Sequence, residues 1–133
     1  MKKLTLRILP MKLAICRLEN NAEIPRWATE NSFFSISKTD EELSIVCNEK
    51  NVPEKIKSEK NWRAIKVEGP LDFSLTGILA SLANPLAAAK ISIFAISTFD
   101  TDYVLVKNEN VEKAVKILGE FCDFSEKGID LDF

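Results

Sequence analysis

The chain of 133 residues contains no histidine. That removes the commonest general acid–base, the usual serine and cysteine triads and the commonest metal ligand. No metal motif, activated nucleophile or phosphate-binding loop stands in for it, so the sequence argues against an enzyme and calls for no cofactor. Cysteine is scarce: Cys16, Cys47 and Cys122 are widely spaced and form no CxxC. Neither a zinc knuckle nor a redox pair is suggested by that spacing. The expectation is a reducing compartment, with the cysteines as small buried hydrophobes. An excess of positive charge is also missing. The net charge is −2, and no Lys/Arg block with interleaved aromatics occurs, which argues against a nucleic-acid partner. No apolar run approaches the length of a membrane span. The opening MKKLTLRILPMKLAICRL is broken by Arg7, Pro10, Lys12 and Arg17 and has no small-residue cleavage site, so it does not read as a signal peptide. A cytoplasmic protein without a membrane partner is expected.

What is present is a repeat. Pro10–Glu49 lies without a gap on Pro70–Glu109, a spacing of sixty, with eleven of forty positions identical. Chains of ordinary composition would share about two or three. The densest match sets FSISKTDEELSIVCNE against FAISTFDTDYVLVKNE. A period this long marks two copies of one supersecondary unit. Each copy is near the lower size limit for independent folding. With 46% hydrophobic and 29% charged residues the composition is that of an ordinary globular protein.

The second copy is the more regular. Trp62–Glu68 alternates as a strand, with Arg63, Ile65 and Val67 on one face. After Gly69-Pro70, Asp72 or Ser74 is placed to cap a helix starting near Leu75. Leu75, Ile78, Leu79, Leu82 and Leu86 share one helical face, and Pro85 predicts a kink or break near Asn84. Ile91–Ser97 and Tyr103–Val106 read as strands around the turn Asp100-Thr101-Asp102. Val111, Ala114, Val115, Leu118 and Phe121 repeat at helical spacing, and Ile129, Leu131 and Phe133 alternate as a last strand. The order is β-α-β-β-α-β, the split ferredoxin-like unit. In the first copy Leu4–Leu9, Lys12–Leu18, Ser32–Ser37 and Leu43–Cys47 are strand-like, while the helix position Glu19–Glu30 is polar and contains Pro25. The charged stretch Asn48–Asn61 reads as a frayed helix plus linker. The fold class is α+β, two ferredoxin-like units in tandem, the first irregular, with halves at 1–60 and 61–133.

Two features look like chemistry. Gly77 lies one turn into the first helix of the second copy, where free N–H groups and partial positive charge attract a carboxylate. A glycine there admits a ligand to the backbone; alternatively it permits close helix–strand packing. The cluster Ser97-Thr98-Phe99-Asp100-Thr101-Asp102 follows an apolar strand. Its hydroxyls and carboxylates suit an ammonium group, or form a self-solvating turn. Ser37 and Asp40 repeat part of it, through either a shared turn geometry or an ancestral site. Trp27 and Trp62 stand at unmatched positions and read as core or seam residues.

The stretch from Glu68-Gly69-Pro70 through Phe73, Leu75-Thr76-Gly77-Ile78-Leu79, Ile91-Ser92-Ile93-Phe94 and Ser97–Tyr103 resembles an ACT domain. Arg26–Cys47 resembles the first ACT-like half of small bacterial tandem proteins related to aspartate kinase regulatory regions and to the cellular arginine sensors of animals. The resemblance covers most of the chain. It implies a ferredoxin-like fold and a regulatory, non-catalytic role in binding an amino acid. Carried across by motif, the ligand site comprises Phe73, Thr76, Gly77 and Ile78 from the loop and helix start, Ile93 and Phe94 from the strand, and Ser97, Thr98 and Asp102 from the turn. The first copy has Arg17 where the second has Gly77. The leading expectation is an amino-acid sensor that reports to an unidentified regulated protein. The alternative is an ACT-fold interaction or scaffold module without a ligand. Open ferredoxin-like sheets leave edges, and a closed two-fold homodimer is expected to cover them.

Overall fold

A computed structural model describes residues 3–69 and 77–125. Along the chain run β1 (Thr5–Ile8), β2 (Leu13–Leu18), β3 (Ser35–Lys38), β4 (Leu43–Asn48), β5 (Ser58–Val67), α1 (Ile78–Ala88), β6 (Ile93–Ser97), β7 (Asp102–Lys107), α2 (Val111–Leu118) and β8 (Asp123–Phe124). Single 3₁₀ turns occupy Arg26–Ala28, Glu49–Asn51 and Asn108–Asn110. The chain forms two compact units, Met11–Trp62 and Met1–Pro10 with Arg63–Phe133, so the division falls inside β5.

In the unit of 11–62 the strand order is β3-β4-β2-β5, all antiparallel neighbours. One face carries the core: Ala14, Cys16, Ala28, Leu43, Ile45, Cys47 and Val52, flanked by Trp27, Ile36 and Ile56. The strands alternate, so these residues recur at every second position. Between β2 and β3, where the sequence is polar and Pro25 removes a donor, only the 3₁₀ turn Arg26–Ala28 forms, and Ala28 plugs the core. The stretch 48–61 forms no frayed helix. Its N-terminal part is the 3₁₀ turn Glu49–Asn51, with the Asn48 side chain accepting from the Lys50 amide. β5 then begins at Ser58, despite its charged start. It reaches β2 through a bulge, where Asn61 takes a left-handed φ of 67° and its amide donates to Glu49 Oε1 at 2.9 Å.

In the unit of 1–10 and 63–133, β5 lies between β1 and β7, and the order is β6-β7-β5-β1-β8. This is the expected β-α-β-β-α-β unit, with β1 interposed between β5 and β8. Leu6 and Ile8 of β1, Ile65 and Val67 of β5, and Val104 and Val106 of β7 form one apolar face. Leu82 and Leu86 of α1 and Val111, Ala114 and Leu118 of α2 cover it, and all five are fully buried. α1 passes through Pro85 without a break. The carbonyl that loses its helical partner there is that of Ser81, an exposed residue that water can satisfy. The strand expected at Ile129–Phe133 lies outside the described residues, as do the capping candidates Asp72 and Ser74. β8, only two residues long, pairs in parallel with β1.

Arg63 is a buried cation of this unit, 6% exposed. Its Nε and Nη2 donate to the Leu9 carbonyl at 3.1 and 3.0 Å, and Nη1 donates to Asn108 Oδ1 at 3.3 Å. The guanidinium ties the end of β1 to the 3₁₀ turn after β7.

The repeat is visible within each unit, but its spacing differs from the one read in sequence. Leu43, Ile45 and Cys47 face one core; Asp102, Val104 and Val106 hold the corresponding places in the other. The two hairpin turns begin at Thr39 and Thr98, whose amides donate to the Glu42 and Thr101 carbonyls at 2.9 and 2.8 Å. The spacing here is fifty-nine, one less than the gapless match. Identity counting aligned Asp40 with Asp100, whereas the turns align on their leading threonines. In both, the threonine Oγ1 accepts backbone N–H groups within the turn.

Candidate functional site

Gly77 is the N-cap of α1, not a residue inside it. Its φ of 76° lies in the left-handed region, which is incompatible with a helix interior and open chiefly to glycine. Among the described residues a Cβ at this position would meet nothing within 4 Å. Backbone conformation, not close helix–strand packing, accounts for the glycine. The first bond of α1 runs from the Ser81 amide to the Gly77 carbonyl at 2.8 Å, so the amides of Ile78, Leu79 and Ala80 have no acceptor within the helix.

The turn Thr98–Thr101 joins β6 to β7. Ser97 and Asp102 are the last residue pair of that ladder, and Ser97 Oγ donates to Asp102 Oδ1 at 2.5 Å. Thr98 Oγ1 is 3.1 Å from the Thr101 carbonyl. Thr101 is 5% exposed, and its hydroxyl donates to the Val67 carbonyl at the end of β5. That bond fixes the turn beside the end of β5. Thr101 belongs to the polar cluster seen in the sequence but not to the ligand site carried across by motif; a threonine closing a turn that another threonine opens was the available signal.

Strand alternation sorts the remaining residues. Ile93 packs against the helix-covered core. It pairs with Val106, and Ser97 and Asp102 share that face by period two. Phe94 pairs with Leu105 and therefore lies on the opposite face of the sheet. Ile78, in the first turn of α1, packs on the same core as Ile93. The structure thus gathers Ile93, Ser97 and Asp102 on the face that α1 covers and separates Phe94 from them. Phe73 and Thr76 lie outside the described residues. Phe99, at the tip of the turn, is 78% exposed.

A shallow pocket of about 200 Å³ opens beside the turn, lined by Lys66, Gly69, Thr98, Asp100, Thr101 and Tyr103. Burial raises the Tyr103 phenol above its usual range; Arg7 opposes this, and Asp100 and Glu68 add to it. Arg7 Nε and Glu68 Oε1 form an ion pair at 2.8 Å near the same strand ends. Among the described residues no group of three or more His, Cys, Asp or Glu is placed to hold a metal ion, and no helix is long and apolar enough to cross a membrane.

In the first unit Leu43 holds the place of Asp102 and Lys38 that of Ser97. Leu43 is 1% exposed and belongs to the core. The Ser37 and Asp40 matches therefore reflect a shared hairpin and not the same chemical positions.

The family model of the ACT domain matches residues 57–120, and a second model, for an N-terminal domain, matches residues 12–55. A solved protein of Agobacterium tumefaciens is 36% identical, covers 94% of each chain and superposes with a TM-score of 0.88. The chain belongs to the ACT-domain family. This ACT chain is also 36% identical over 95 residues to the human cytosolic arginine sensor for mTORC1 subunit 1, covering 65% of the chain and 29% of the sensor. It thus spans less than a third of that relative's length. The regulatory subunit of aspartate kinase from Thermus thermophilus shares the fold, with a TM-score of 0.61 at 12% identity over 90% of this chain and 99% of that one.

Proposed function

We propose that this ACT chain is a non-catalytic regulatory protein that senses an amino acid. The observation that carries the reading is the bonded pair Ser97 and Asp102, at the turn that the Thr101 hydroxyl fixes to the end of β5, in a chain similar to an arginine sensor. The ligand carboxylate is received by the amides at the start of α1, around Thr76, Gly77 and Ile78, where the helix end is electropositive. The ligand ammonium, or a cationic side chain, is received by Asp102 and Ser97, with Thr98 beside them. Ile93 supplies apolar floor on the same face. Phe73 belongs to the loop contribution. Phe94, on the opposite face of the sheet, enters only through a partner copy. Arginine is the first ligand to try, because of the relative's name; the class is free α-amino acids. The inherited halves are 1–60 and 61–133, the site belongs to the second, and the working assembly is a homodimer in the cytoplasm that reports to a separate regulated protein.

Calorimetry with the twenty amino acids tests this. Asp102→Asn removes a charge-assisted bond worth roughly 1.5–3 kcal/mol, a loss in affinity of about ten- to a hundredfold. Gly77→Leu blocks the helix terminus by volume and is also strained at positive φ. Equal binding by wild type and both variants places the site elsewhere. Absence of binding by the wild type favours the interaction-module reading.

A further inference from the structure

The three cysteines are not equivalent. Cys16 on β2 stands opposite Ile45 of β4, and Cys47 of β4 stands opposite Ala14 of β2. The two are therefore diagonal neighbours on adjacent antiparallel strands, and both point into the core face of the 11–62 unit. Each is 1% exposed. Cys47 is also the first residue of β4 past the end of the β3 ladder, whose last pair is Ser35 with Val46. β3 is a four-residue edge strand, the kind of element that opens locally at low cost and admits a small solute. The residue preceding it, Phe34, is 42% exposed.

We infer that Cys16 and Cys47 form a reversible, hydroperoxide-driven disulfide inside the N-terminal unit. Their roles in the step differ. The Cys47 thiol donates to the Cys16 sulfur, which lowers the Cys16 pKa; burial opposes this and the charge of Lys60 supports it. The same bond, with burial, holds Cys47 protonated. One sulfur of the pair donates and the other is freed to react, and the charge of Lys60 favours Cys16 as the nucleophile. Its thiolate attacks the peroxide, the O–O bond breaks, and Cys16 becomes a sulfenic acid as hydroxide leaves and takes up a proton. The Cys47 sulfur then attacks the Cys16 sulfur. An S–S bond forms, the S–O bond breaks, and the Cys47 proton departs with the oxygen as water. Two thiols and one hydrogen peroxide give one disulfide and two waters; an organic hydroperoxide would give an alcohol in place of the first water. Diagonal strand neighbours sit farther apart than an unstrained disulfide prefers, so β2 and β4 must shift for the bond to close, and the bond is of the readily reduced kind. Cys122, in the other unit, has no such neighbour at hydrogen-bond range among the described residues, and burial raises its pKa.

The test treats the folded chain with hydrogen peroxide, quenches with an alkylating agent in denaturant and maps the peptides by mass. The expected result is a linked Cys16–Cys47 peptide about 2 Da lighter than the reduced pair, with Cys122 alkylated, and full reversal by glutathione. In Cys47→Ala, Cys16 stops as a sulfenic acid that dimedone captures; in Cys16→Ala, Cys47 remains an alkylatable thiol. The wild-type map decides even if a variant fails to fold. Three alkylated cysteines after peroxide overturn the inference. So does a bridge to Cys122, a bridge between chains, or a bridge that glutathione leaves intact.

Discussion

At the scale of single residues, the buried arginine of β5 is the most telling. Arg63 sits at an odd, core-facing position of an alternating strand, where its neighbours Ile65 and Val67 are apolar. Its fork satisfies one carbonyl twice and one side-chain amide once. Charged hydrogen bonds of this kind are stronger than neutral ones, and removing one partner leaves the other buried and unsatisfied. Arg63→Ala is expected to lower stability by roughly 2–4 kcal/mol in urea titration. Arg63→Lys restores the charge without the planar fork, and its curve should fall between the two. Neither substitution touches Asp102 or Gly77, so a large loss of stability with unchanged ligand affinity per folded molecule separates the scaffold from the site.

Individual elements were legible to different degrees. The hairpins β3–β4 and β6–β7 were visible because their β-branched and aromatic residues leave little alternative. Both helices of the second half were visible from Leu82, Leu86, Val111, Ala114 and Leu118, which are the residues that reach the core. What failed was local. Ser58–Asn61 gives no strand signal, since its pattern is charged and its pairing is set by β2. β8 is too short for any period. Pro85 misled, because one lost bond on an exposed side of a packed helix is tolerable. In the site, Asp102 and Ser97 were readable as a polar cluster, whereas the separation of Phe94 from Ile93 follows only from strand pairing. The end of α2 carries a testable constraint: a Cβ at Gly119 would stand 2.8 Å from the Val115 carbonyl oxygen, which is backbone and cannot swing away. Gly119→Ala should therefore lower the melting temperature by several degrees, on the order of 1 kcal/mol, while Glu120→Ala at the exposed next position leaves it unchanged.

For the whole molecule, composition and the missing histidine framed the functional class before any geometry was known, and the ACT resemblance covered most of the chain. The proposed homodimer is the prediction at this scale. Light scattering should report twice the mass of 15.0 kDa across micromolar concentrations, and ligand should not dissociate the pair. A monomer at every accessible concentration removes the dimer and with it any role for Phe94 through a partner copy.

The hairpin turns that start at Thr39 and Thr98 carry a consequence for how the two halves are compared. A strand is read in steps of two, so a slip of one is a frameshift: every residue that faced inward is assigned to the outside. Under the gapless match Ile45 is equated with Leu105, which points away from the core that Val104 and Val106 line. Sequence identity thus preserves letters at Asn48 and Asn108 while the strands keep a different frame. Any transplant of one hairpin onto the other half, or any transfer of a functional role from Asp102 back to the first half, has to be made in the frame of the threonines. In that frame the position of Asp102 falls on Leu43, a residue that can only fill a core.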